Sequence, residues 1–68
     1  MDEARWQLVA IRARLGVALS EAALVGAALE RWPRSSSGPR AGIARLSAAL
    51  EQARRDADAV LADVEAAR

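Results

Sequence analysis

Five serines, nine carboxylates and ten arginines are the side chains in this 68-residue sequence with a claim to chemistry, because histidine, cysteine, lysine and tyrosine are all missing. A serine or carboxylate nucleophile would therefore lack a His or Lys base beside it. Zinc and haem sites lean on Cys and His, so no metal and no cofactor is expected. Gly16, Gly26, Gly38 and Gly42 are isolated, and none opens a GK[ST] phosphate loop. Catalysis is not the expected role.

Arginine remains. Arg31, Arg34, Arg40 and Arg45 cluster in sequence around one short break. A guanidinium grips phosphate or carboxylate with a bidentate fork, so this basic tip could contact an anionic partner. Nucleic acid is the weaker version of that idea. The net charge is only +1, and neither Trp6 nor Trp32 is interleaved with arginines on a basic helix face as a stacking platform requires.

The elements that would position these groups follow from composition. Eighteen alanines and the arginines make helix formers dominant, and the only break is the stretch Trp32–Arg40, with Pro33, three serines, Gly38 and Pro39. Pro33 disfavours helical geometry at Trp32, and Pro39 suits the first position of a new helix. We expect one domain: a first helix over about residues 2–31, a turn over 32–39, and a second helix over 40–67. Asp2 and Glu3 suit the positive end of the first helix and Arg31 its negative end. Glu51 with Arg55, and Arg54 with Asp58, are i,i+4 pairs on the second. The expected fold is all-α, an antiparallel two-helix hairpin.

Both helices carry an unbroken apolar 3-4 spacing, the signature of a coiled-coil seam. On the first it runs Met1, Ala4, Leu8, Ile11, Leu15, Ala18, Ala22, Val25, Leu29, Trp32; on the second Ile43, Leu46, Leu50, Ala53, Ala57, Val60, Val64, Ala67. The two seams should face each other, widened by Leu19 and Leu61, with Trp32 plugging the turn end. A second stripe on the first helix, Trp6, Ala10, Ala13, Val17, Ser20, Leu24 and Ala27, lies nearly opposite the first, where the same partner helix cannot reach. The matching outer stripe of the second helix contains Arg45, Gln52 and Arg55 and is far wetter. Between Leu15 and Leu29 the only charge is Glu21, the pattern of a buried helix. That apolar run is fifteen residues, too short for a membrane span of about twenty.

Small residues recur at four-residue intervals (Ala18, Ala22, Gly26; Gly16, Ser20), which suits either close approach of two helix backbones or neutral drift between alanine and glycine codons. With alanine at a third of the seam positions, one hairpin buries too little to offset the ordering of its chain. The expectation is a small helical interaction module that self-associates through the second stripe, making a four-helix bundle. The alternative is a subunit, adaptor or chaperone that folds onto a different helical protein; RNA or DNA binding ranks below both. No cleavable signal or transmembrane segment is visible, so a cytoplasmic location is expected.

Overall fold

Two long helices, α1 (Glu3–Leu29) and α2 (Ser37–Ala66), pack side by side. The computed structural model describes residues 3–33 and 37–67; Met1 and Asp2 of the first helix's expected start, and Arg34 of the basic tip, lie outside the described residues. α1 ends at Leu29, where the backbone tightens into i→i+3 bonds: Arg31 N–H to Ala28 O at 3.2 Å and Trp32 N–H to Leu29 O at 3.0 Å. Such tightening satisfies carbonyls that a helix end leaves open. α2 begins at Ser37, so Pro39 lies within its first turn, where a missing N–H breaks no intrahelical bond.

Three contacts set the antiparallel register. The Arg5 guanidinium pairs with Glu65, Arg12 with Asp58 at 2.8 Å, and Arg40 with the Leu29 carbonyl at 2.9 Å. Seven residues up α1, from Arg5 to Arg12, correspond to seven down α2, from Glu65 to Asp58.

The seam itself is turned by one residue row from the expected one. One row on each helix is shared between expectation and structure: Leu8, Leu15, Ala22 and Leu29 on α1, and Ile43, Leu50, Ala57 and Val64 on α2, all half-buried or buried. The second row of the seam differs. On α1 it is the row of Arg5, Arg12, Leu19 and Gly26 and on α2 that of Arg40, Ser47, Arg54 and Leu61, half-buried except at Arg12 and Arg54, which are exposed at the seam's edge. We call these the inner rows. The large expected partners of the shared rows, Ile11, Val25 and Trp32 with Leu46 and Val60, are instead 44–50% exposed and form outer rows, in which the small Ala18 and Ala53 stay half-buried. Trp32 does not plug the core. Leu19 and Leu61 carry this rotation, together with the arginines, whose aliphatic stems can lie along the seam while their heads reach carboxylates or carbonyls at its edge.

The outcome is a thin core. Ala22, Leu29 and Ala57 are the buried residues among those described. The molecule is a rod 53 Å long with a radius of gyration of 15.8 Å, against about 11 Å for a globule of this length. No described helix is long and apolar enough to cross a membrane.

Candidate protein–protein interface

The surface divides according to which row faces out. On the outermost face of α1 stand Leu24 at 72%, Val17 at 59% and Trp6 at 54% exposure, separated by exposed Ala13 and Ala27 and half-buried Ala10. Ser20, the polar member of this stripe, donates its hydroxyl to the Gly16 carbonyl at 3.2 Å and so needs no outside acceptor. The Arg5 guanidinium lies 5.9 Å over the Trp6 ring, a distance at which its charge is attracted to the ring face. All seven stripe residues thus fall on one side of α1, away from α2.

A second apolar surface was not singled out by sequence. The outer rows of both helices lie on the same flank of the hairpin, since in an antiparallel pair equivalent rows beside the seam meet on one side. The register puts Val25 at the level of Leu46, Ala18 at that of Ala53, and Ile11 at that of Val60. No charged residue occurs in either outer row. The signal was present, because these residues belong to the strict 3-4 pattern; its assignment to the interior of one hairpin hid them.

The opposite flank is polar. Arg12, Arg54 and Asp58 line a groove of about 470 Å³ with Val9, Ala13 and Gly16, and the Arg5–Glu65 pair continues the same edge. Asp58 pairs across the hairpin with Arg12 rather than along α2 with Arg54, whereas Glu51 and Arg55 do form the expected i,i+4 pair, at 3.6 Å. Gly16 and Gly26 are not close-approach glycines within the hairpin, because a Cβ at either would meet nothing within 4 Å.

Of the basic tip, Arg31 and Arg45 are exposed, and Arg34 is outside the described residues. Arg40 is already engaged. Its Nε and Nη2 donate to the Leu29 carbonyl at 3.1 and 2.9 Å, and Nη2 also donates to the Trp32 carbonyl. A cation therefore closes the negative end of α1 from the first turn of α2. This removes Arg40 from the set free to hold an anionic partner. Among the described residues no group of three or more carboxylates could hold a metal ion. Comparison with protein-family models, curated proteins and solved structures finds no match to this chain.

Proposed function

We propose that this chain is a helical protein–protein interaction module that acts by self-association, two hairpins together making a four-helix bundle. The observation that carries the reading is the imbalance of its apolar side chains. Leu29 is the one large apolar residue that is buried among those described, while eight others (Trp6, Ile11, Val17, Leu24, Val25, Trp32, Leu46, Val60) are 44% exposed or more. Apolar surface this extensive on a small rod favours association. Both the α1 stripe and the flank belong to the surface α2 leaves uncovered. The charged groove and the carbonyl-bound Arg40 offer no comparable case for an anionic ligand.

The test is the solution mass of the purified chain by light scattering, read beside its helicity. A helical species at twice the 7.2 kDa monomer mass is the expected result. A monomer, or a chain that is helical only with another protein present, would overturn self-association in favour of a heterologous partner.

A further inference from the structure

Resting on that reading, we infer that the second copy docks on the outer-row flank, against Ile11, Val25, Leu46 and Val60, with α1 of each copy lying along α2 of the other. Four observations converge on this face. First, it is two helices wide, whereas the Trp6–Leu24 stripe belongs to α1 alone and its α2 counterpart carries Arg45, Gln52 and Arg55. Along a rod 53 Å long, with helices about 10 Å across, the flank offers on the order of 1,000 Å² per copy, enough for a standard interface of about 800 Å² a side.

Second, the strictly apolar seam of each helix is the shared row plus the outer row. The inner rows contain Arg5, Arg12, Arg40 and Arg54. A hairpin closed over the inner rows therefore leaves its driest seam half open, and only another pair of helices completes it. Third, the geometry suits four helices. In a square array each helix has two neighbours about 90° apart, and at 100° per residue the outer row of α1 lies about that far around from the direction of α2.

Fourth, the charges bordering the flank choose the arrangement. On α1 the next row out is Gln7, Arg14, Glu21 and Ala28; on α2 it is Gly42, Ala49, Asp56 and Asp63. A two-fold axis along the rod keeps every residue at its own height. The hairpin's register then places Arg14 beside Asp56 of the second copy, and Gln7 beside its Asp63, each twice over. Among the described residues Arg14 has no ion pair and Asp56 accepts only from Gln52, at 2.9 Å. An axis across the rod would instead set the acidic row of one α2 against that of the other.

The chain has no cysteine, so single thiols report the docking directly. A Val25→Cys protein and a Leu46→Cys protein, mixed and mildly oxidised, are expected to form mixed disulfide dimers. Neither protein alone should, because its two thiols would lie on diagonal helices beyond the roughly 7 Å that a disulfide spans. In parallel, Arg14→Asp is expected to weaken the dimer about tenfold at low salt, with Asp56→Arg in the same chain restoring it. If the wild-type chain is dimeric but the mixture does not cross-link, and Leu24→Glu rather than Arg14→Asp dissociates it, the flank is wrong and self-association stands. If the wild-type chain is monomeric, self-association fails, and the flank assignment with it.

Discussion

The two flanks of the hairpin border the same seam and are built from opposite materials. One carries Arg5–Glu65, Arg12–Asp58 and the Arg54 groove; the other carries Ile11, Val25, Leu46 and Val60 with no charge in either outer row. Ion pairs at exposed positions contribute little energy, yet they are specific about which residue meets which. The polar flank thereby sets the register of α1 on α2. The apolar flank is unspecific alone but holds most of the burial this chain can still gain. In our reading the first aligns the hairpin and the second assembles it.

That contrast can be broken from either side. The largest effect should come from putting charge on the apolar flank: Val25→Glu with Leu46→Glu is expected to raise the dimer Kd more than about a hundredfold, because each carboxylate would be buried without a counter-charge. Sedimentation across a concentration series reads this, and an unchanged mass would remove the flank from the interface. Next is the turn end. Arg40→Ala deletes the charged donors to the Leu29 and Trp32 carbonyls and should cost about 1.5–3 kcal/mol, seen as a lower urea midpoint.

A gain is expected from Gly16→Ala, about 0.5–1 kcal/mol, since a Cβ there meets open space and alanine is the better helix former. A loss in thermal unfolding would show that another backbone approaches at Gly16 in the assembled state. The smallest effect belongs to the polar flank. Asp58→Asn should cost about 0.2–1 kcal/mol at low salt and nearly nothing at high salt, as both partners of the Arg12–Asp58 pair are about half exposed. A larger loss would mean that this pair holds the hairpin closed as well as in register.

Much of the architecture was legible in the sequence. Pro33, Gly38 and Pro39 announced one break between two alanine-rich runs, and a 3-4 apolar spacing on both sides announced that the helices pack. Proline acts on the backbone of its own neighbourhood, so such signals need no knowledge of what lies across the fold. The stripe Trp6, Val17, Leu24 was likewise legible as a face that α2 could not reach. Arg40 was not: as a sequence feature it joined the basic tip, and only the approach of α1's last turn gave it two carbonyls to hold.

The rotation of the seam was also beyond the sequence. Each helix has a shared row with an apolar row on one side and an arginine-bearing row on the other, and either pairing satisfies a 3-4 repeat. The choice rests on atoms more than fifty residues apart for Arg5 and Glu65, and more than forty apart for Arg12 and Asp58, which no local periodicity encodes. What the sequence by itself determined is that two helices form, where they break, and that more apolar rows exist than two helices can cover. What only the tertiary structure decided is which large apolar residues were left uncovered: Leu19 and Leu61 came to the seam beside arginines whose long stems can lie along it and still reach carboxylates at its edge, and Ile11, Val25, Leu46 and Val60 were left facing out.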